Sequence, residues 1–135
     1  MSPKQIIWIG FDLALLTEVK KQLPEYKALH VVLLRRRSAQ QSASETPEAK
    51  QRELVKGKKL IDAAKAANMD GIDFESNPDS VTTELLQYAH MQQLETAVWV
   101  FGAVEGSDSP ESLNYYTAAS VDYFTSNMPP FLARL

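Results

Sequence analysis

Five short apolar runs divide the chain and predict five β-strands. The runs are Ile6–Phe11, Leu29–Leu34, Gly71–Glu75, Thr96–Phe101 and Asp122–Thr125. The longer runs do not alternate apolar with polar residues, which is the pattern of strands buried on both faces. They therefore predict a sheet that is covered on both sides, as parallel sheets are.

Helical patterns separate the predicted strands. Apolar residues at helical spacing predict helices over Leu13–Leu23 and from about Pro47 to Ala67. Asp79-Ser80-Val81-Thr82 opens a third helix, and Ser109-Pro110 opens a fourth, with serine as N-cap and proline at the first helical position. The strict alternation of strand and helix is typical of a parallel α/β fold, here in a single domain over residues 1–135.

The segment from residue 35 to residue 46 breaks this rhythm. It begins with Arg35-Arg36-Arg37, continues mainly in polar residues and shows no apolar periodicity. It is longer than most strand-to-helix connections, and its composition favours a flexible loop. The arginines could meet a phosphate or an anionic headgroup, although a solvated charge run is the more frequent meaning of this pattern.

The composition restricts the class of protein. The 135 residues suffice for one domain, with an ordinary hydrophobic fraction of 44%, but are few for a complete (β/α)8 barrel of about 250 residues. There is no cysteine, so disulfides and thiolate chemistry are excluded. The net charge of -3 disfavours nucleic acid as a partner.

No apolar run reaches the ~20 residues of a membrane span, and the chain opens without a signal-peptide pattern. We therefore expect a cytoplasmic protein, although a secreted parent is also compatible.

Five segments, taken in order, carry a family resemblance. They are Trp8-Ile9-Gly10-Phe11-Asp12, Met69-Asp70-Gly71-Ile72-Asp73-Phe74, Val81-Thr82-Thr83-Glu84-Leu85, Leu94-Glu95-Thr96-Ala97-Val98-Trp99-Val100-Phe101 and Ser120-Val121-Asp122-Tyr123-Phe124-Thr125-Ser126-Asn127-Met128-Pro129. In this order and spacing the chain resembles the C-terminal portion of the glycerophosphodiester phosphodiesterase family, a TIM-barrel family. The resemblance covers about the fourth to the eighth barrel strand. It implies a partial (β/α) TIM-type barrel of five sequential parallel strands with intervening helices.

The segments depart from the family pattern in three places. Gly10 stands where serine is usual, Val100-Phe101-Gly102 replaces Thr-Val-Asn, and Ser126-Asn127 stands where Thr-Asp or a similar pair is usual. These departures concern the substrate pocket and not the fold.

The resemblance also implies an activity. The family hydrolyses glycerophosphodiesters in lipid and glycerol metabolism with a divalent cation, Mg²⁺ or Ca²⁺, and uses a His-Arg-Gly segment and a Glu-x-Asp metal pair on its first strands. Neither triplet occurs in the 135 residues, and the two histidines, His30 and His90, lie outside such motifs. We therefore assign no catalytic residue and no metal ligand to this chain. We expect a truncated domain that is inactive by itself.

Three aromatic residues are candidates for substrate binding. Phe11, Trp99 and Phe101 lie at the carboxyl ends of predicted strands, where barrel and α/β enzymes place their sites. By resemblance, Phe11 and Trp99 would form an apolar wall around the glycerol or lipid part of the substrate. A role in core packing is equally compatible with these residue types.

Three acidic residues are weaker candidates. Asp73 and Glu75 stand two apart on one strand, hence on one face, and could pair at a metal ion, although such a site needs further ligands. More frequently such a pair ends a strand in solvent, or Asp73 would close an ion pair inside the barrel. Asp12 is expected to cap the first helix.

Two non-enzymatic functions remain open. A doubly wound sheet would suit a binding or signalling module, but no lysine follows the fifth strand, as a receiver domain requires, and no glycine-rich phosphate loop is present. A non-catalytic remnant could instead self-associate through open sheet edges. Strand order separates these folds, because sequential neighbours indicate a partial barrel and a reversal indicates a doubly wound sheet.

Overall fold

The computed structural model describes residues 6–34, 46–76, 80–99 and 110–125, in which strands and helices alternate. The strands are β1 (Ile7–Gly10), β2 (Lys27–Val32), β3 (Gly71–Glu75), β4 (Glu95–Trp99) and β5 (Tyr123–Thr125). The helices are α1 (Leu13–Gln22), α2 (Pro47–Ala66), α3 (Thr83–Met91) and α4 (Pro110–Ala118). The predicted order is confirmed, with small shifts of the bounds, such as the start of β2 at Lys27 and not at Leu29.

The five strands form one sheet in the order β1-β2-β3-β4-β5, and every neighbouring pair is parallel. Each strand pairs with the strand that follows it in the chain, without the reversal that defines a doubly wound sheet. The sheet is curled into a half-barrel with the helices around it. The predicted partial barrel is therefore confirmed, and the doubly wound alternative is wrong.

One face of the sheet packs against all four helices. Alternate positions of the central strands supply the sheet's share of the apolar core, namely Ala28, Val32, Ile72, Phe74 and Val98. The helices supply fully buried side chains such as Ile61 of α2 and Leu85 of α3, and Tyr116 of α4 is 1% exposed. Because side chains alternate along a strand, the intervening positions point to the opposite, concave face of the curled sheet.

Short polar side chains begin three of the helices by accepting a hydrogen bond from the backbone N–H three residues further on. These N-caps are Asp12, Thr46 and Thr82, with N···O distances of 3.1, 3.2 and 3.2 Å. Each satisfies a backbone donor that the helix cannot pair internally. The capping role predicted for Asp12 is confirmed.

The turns that lead into β3, β4 and β5 share one conformation. The three turns are Asn68-Met69-Asp70, Gln93-Leu94-Glu95 and Ser120-Val121-Asp122. The first residue of each has a positive φ, of 61°, 64° and 61° respectively. The N–H of the second bonds to the helix carbonyl five residues earlier, at 3.0 to 3.1 Å, as in a Schellman motif. The third residue is acidic in all three turns, and it lies at the equivalent position at the amino end of each strand.

Strand β1 departs from the prediction of a sheet covered on both sides. All five residues of β3 are buried, whereas Trp8 and Ile9 of β1 are 41% and 61% exposed. β1 lies at an edge of the described sheet, where β2 is its one neighbour. The prediction, which was made from the longer runs, is therefore wrong for β1.

Some predictions concern residues outside the described ranges. These are the flexible loop over residues 35–46, apart from Thr46, the candidate site residue Phe101, and the Ser109 cap. Among the helices that the structure describes, none combines the length and the apolar character needed to cross a membrane.

Candidate functional site

The candidate site lies on the concave face, toward the carboxyl ends of the strands. On β3 this face carries Asp73 and Glu75. The strand register sets Val31 of β2 and Ala97 of β4 on either side of Asp73, and Trp99 of β4 beside Glu75. This is the end of the sheet at which (β/α) barrels place their active sites.

Two of the predicted site residues, Phe11 and Trp99, contact each other across the concave face. Their ring centroids are 6.3 Å apart and their planes meet at 89°, an edge-to-face arrangement. Phe11 follows β1 and Trp99 ends β4, so their strands would be roughly 14 Å apart in a flat sheet with about 4.8 Å between neighbours. The curl of the sheet therefore brings the two rings together. Phe11 is 62% exposed and is thus not a core aromatic.

Asp73 is buried without a partner. Its side chain is 5% exposed, and its Oδ1 atom receives no hydrogen bond from any described residue. Its register neighbours, Val31 and Ala97, are apolar. Burial therefore raises the pKa of the Asp73 carboxyl from 3.8 to about 6, since desolvation penalises the ionised form. Both frequent arrangements predicted for this residue, a solvent-exposed strand end and an ion pair, are wrong within the described part of the chain.

Glu75 lies two residues further along β3 on the same face and is 4% exposed. Two carboxylates on one face invite comparison with a metal site, but hard divalent cations take six or more oxygen ligands. Across the described ranges, no group of three or more His, Asp or Glu side chains could hold a metal ion. The described residues therefore do not fit the divalent cation that the resemblance implies. We refer to Phe11, Asp73, Glu75 and Trp99 as the carboxyl-end cluster.

At the opposite end of the concave face, the amino end of the strands, Lys27 and Glu95 form an ion pair. The Lys27 ammonium donates to Glu95 Oε1 and lies 3.5 Å from the Tyr123 hydroxyl. The hydrogen bond with Glu95 is the main reason that the pKa of Lys27 and the pKa of Tyr123 are both raised. Between these strands, β3 presents Gly71, where a Cβ atom would lie 2.5 Å from the Glu95 carbonyl oxygen and from Leu29 Cδ2. Only glycine allows the backbones to approach this closely.

Asp70, directly before β3, holds the amino ends of two strands and a helix together. Its Oδ2 atom accepts hydrogen bonds from the Ala28 backbone N–H at 2.8 Å and from the Lys20 ammonium at 2.9 Å. Its own backbone N–H donates to the Ala28 carbonyl at 2.9 Å. Lys20 also donates to two backbone carbonyls, at 2.8 and 3.2 Å. The Asp70 carboxylate therefore has a structural role.

Asp122 lies directly before β5 and repeats this arrangement two strands later in the chain. Its Oδ2 atom accepts from the Thr96 backbone N–H at 2.8 Å and lies 3.2 Å from His90 Nε2. Its backbone N–H donates to the Thr96 carbonyl at 2.9 Å. Sequence reasoning missed both aspartates. The signal that could have revealed them is a repeated three-residue pattern before a strand. A residue that ends a helix is followed by an apolar residue and then by an acid, as in Asn68-Met69-Asp70 and Ser120-Val121-Asp122.

Both histidines have structural partners. His30 Nε2 donates to the Phe11 carbonyl at 3.0 Å, and so helps to fix the backbone of a site residue. His90, in the last turn of α3, contacts Asp122 and the Thr96 hydroxyl. Neither histidine belongs to the carboxyl-end cluster.

Comparison with known proteins finds similarity among solved structures. No protein-family model and no curated protein matches the sequence. The chain superposes on a protein assigned as a glycerophosphoryl diester phosphodiesterase from Silicibacter pomeroyi, with a TM-score of 0.60 and 21% sequence identity. The match covers 88% of this chain and 33% of the other, so this chain spans about a third of that protein's length. The resemblance predicted from the sequence is thereby confirmed for the fold: the chain has the fold of part of a glycerophosphodiester phosphodiesterase barrel.

Proposed function

We propose that this chain forms the alcohol-binding part of a glycerophosphodiester phosphodiesterase-like barrel. The observation that carries the proposal is the contact between Phe11 and Trp99 at the carboxyl end of the concave face. Both rings occupy positions at which the family resemblance implies an apolar wall. The proposal places the protein in the breakdown of glycerophosphodiesters within lipid metabolism, in the cytoplasm.

The charge of the carboxyl-end cluster supports this assignment of the alcohol part. Asp73 and Glu75 lie on the same face as the two rings, and Asp73 Oδ1 has no hydrogen-bond partner among the described residues. A phosphate beside two carboxylates would be repelled in a site of low dielectric. The phosphate of a diester would therefore lie away from β3.

The reaction itself requires residues beyond these 135. The sequence contains neither the His-Arg-Gly segment nor the Glu-x-Asp pair, and the described side chains offer no metal site. A divalent cation, if the completed barrel uses one, would be held by residues outside this chain. By itself the chain binds and does not hydrolyse.

Binding and hydrolysis can be tested separately on the 135-residue chain. Glycerophosphoglycerol, a diester with an uncharged headgroup, should shift the indole N–H signal of Trp99 in a ¹H–¹⁵N spectrum. The signal of Trp8, on the helix-facing side of β1, should stay in place and serves as the internal control. Glycerophosphocholine with Mg²⁺ or Ca²⁺ should give no glycerol 3-phosphate above the protein-free rate. An unmoved Trp99 signal would contradict the binding role, and turnover would contradict the inactivity.

Self-association is the second candidate function, favoured by the exposure of β1. Ile9 is 61% exposed and Trp8 is 41% exposed, on opposite faces of an edge strand. Apolar edge strands are sites at which chains pair. Sedimentation equilibrium of the wild type and of Ile9→Lys would test this role. A dimer that dissociates in the variant would support it, and a monomeric wild type would exclude it.

A further inference from the structure

We propose that the outer face of α2 binds the surface of an anionic lipid bilayer. We call this face the basic row and define it as Arg52, Lys56 and Lys59, together with Val55. It lies on the helix-covered, convex side of the half-barrel and shares no residue with the carboxyl-end cluster. The proposal therefore goes beyond the proposed function and does not rest on it.

The first observation is the uneven distribution of charge along the chain. α2 contains six of the fourteen Lys and Arg residues and three of the seventeen Asp and Glu residues, which gives the helix a net charge of +3. The whole chain carries -3, so the molecule outside α2 is distinctly acidic. A basic segment on an otherwise acidic protein orients the molecule toward an anionic partner.

The second observation is the placement of the cations on α2. The core side of the helix is marked by its buried residues, Gly57, Ile61 and Ala64. The three cations of the basic row recur at spacings of four and three residues, so they share one face of the helix, and all three are exposed. Arg52 precedes Ile61 by about two and a half helical turns, which places the row on the side opposite the core.

The third observation is that these cations are available to a partner. None of the three forms an ion pair with a described residue. The neighbouring Lys58, by contrast, lies 3.8 Å from Glu84 and over the Tyr88 ring. The basic row therefore presents three unpaired positive charges to solvent over about 10 Å of helix.

The composition of the helix favours a lipid surface over a nucleic acid. The sequence of α2 contains no aromatic residue, whereas proteins that bind single-stranded nucleic acids stack the bases on aromatic side chains. Val55 is 42% exposed among the cations, and binding to a bilayer surface combines charge attraction with burial of apolar side chains. A flat bilayer also contacts the row alone, whereas a long flexible polyanion would meet the acidic remainder of the molecule.

Co-sedimentation of the 135-residue chain with lipid vesicles tests the proposal. The chain should bind vesicles made of equal parts phosphatidylcholine and phosphatidylserine, and should not bind vesicles of phosphatidylcholine alone. Binding should weaken as sodium chloride is added, because salt screens exposed charges. Equal binding to the two kinds of vesicle, or binding to neither, would overturn the proposal.

Matched variants locate the contact on the basic row. Each cation beside an anionic bilayer raises the affinity about fivefold, so Lys56→Gln should weaken binding about fivefold and the triple change to Gln at residues 52, 56 and 59 roughly a hundredfold. Lys65→Gln is the control, because it removes the same charge from an exposed position of α2 on the side opposite Lys56. Gln keeps the helix propensity of these positions. Equal losses in Lys56→Gln and Lys65→Gln would contradict the basic row, because they would show attraction by net charge alone.

A single-stranded DNA oligonucleotide separates a lipid surface from other polyanions. At an equal concentration of negative charge, the chain should bind the oligonucleotide more weakly than the phosphatidylserine vesicles. Tighter binding to the oligonucleotide that is lost in the triple variant would overturn the lipid proposal and assign the row to nucleic acid.

Discussion

Asp70 and Asp73 stand three residues apart, yet the protein treats their carboxylates in opposite ways. Asp70 bonds to a backbone N–H and to the Lys20 ammonium at the amino end of the sheet. Asp73 lies within β3, buried between apolar neighbours, with an oxygen that no described residue bonds. The same residue type therefore stabilises the fold at one end and is left unsatisfied at the other.

The contrast extends to the two ends of the whole sheet. At the amino end, three similar turns deliver acidic residues, and all three find partners: Asp70 with Lys20, Glu95 with Lys27, and Asp122 with His90. At the carboxyl end, the concave face holds Asp73, whose Oδ1 has no partner among the described residues, and the exposed ring of Phe11 beside Trp99. This division matches the general separation in (β/α) barrels between a stabilising end and a functional end. Unsatisfied groups that persist in a fold point to a function.

The largest expected effect comes from Asp70→Asn. The variant loses the ion pair with Lys20, whose side chain is 16% exposed, and weakens the bond to the Ala28 N–H. Because breaking a charged, partly buried hydrogen bond costs about 1.5–3 kcal/mol, we expect the free energy of unfolding to fall by about 2 kcal/mol in urea denaturation.

The control for this variant is Glu18→Gln. Its partner Lys21 is 3.8 Å away and both side chains are more than half exposed, so the change should be near zero. If the two substitutions changed the free energy of unfolding equally, the distinction between a structural carboxylate at Asp70 and a solvated one at Glu18 would be wrong.

The same substitution at the neighbouring acid, Asp73→Asn, should have the opposite sign. The Asp73 pKa is about 6 in the folded chain and 3.8 is the ordinary value, so between these pH values the folded state holds a proton that the unfolded state has lost. The stability contributed by this group therefore falls as the pH rises from about 4 to about 6, and stays low above that range.

Asp73→Asn should raise the free energy of unfolding by about 1–2 kcal/mol at pH 8 and leave it almost unchanged at pH 4. The upper bound that corresponds to a pKa shift of this size is about 3 kcal/mol. Urea denaturation at the two pH values measures it. A loss of stability at pH 8 would mean that the Asp73 carboxylate has a compensating partner. A gain in stability at pH 8 would indicate a residue that is retained for function at the cost of stability.

The smallest expected effect concerns the repeated turns at the amino end. Gln93 has a φ of 64°, a conformation that costs a residue with a side chain about 1–2 kcal/mol and glycine little. After subtraction of the entropy that glycine adds to the unfolded chain, Gln93→Gly should raise the free energy of unfolding by about 0.5 kcal/mol. The matched control Gln92→Gly, at φ -82°, should lower it. A lower free energy of unfolding in both variants would contradict the turn geometry described for Gln93.

Much of the fold was predictable from the sequence because the relevant signals are local. Apolar runs predicted the described strands, and helical stripes or helix-opening residues predicted the described helices. Asp12 was recognisable as a cap because its effect is confined to one helical turn. The exposure of β1 was not predictable, since Ile6–Phe11 has the composition of a buried strand. Exposure depends on which strands lie beside it.

The candidate site was only partly predictable for the same reason. Phe11 and Trp99 were identified through a family resemblance, but their contact depends on the curl of a sheet between residues 88 positions apart in the chain. The burial of Asp73 depends on the neighbours that parallel pairing sets beside it, Val31 and Ala97. The sequence around Asp73 carries no sign of this environment.

The measurement that tests the contrast most directly is an NMR titration of the Asp73 carboxyl carbon in the 135-residue chain. We predict a midpoint near pH 6, because burial without a hydrogen-bond donor disfavours the ionised form of the carboxyl. A midpoint at or below the ordinary 3.8 would mean that Asp73 is already paired, and would contradict the account of the carboxyl-end cluster.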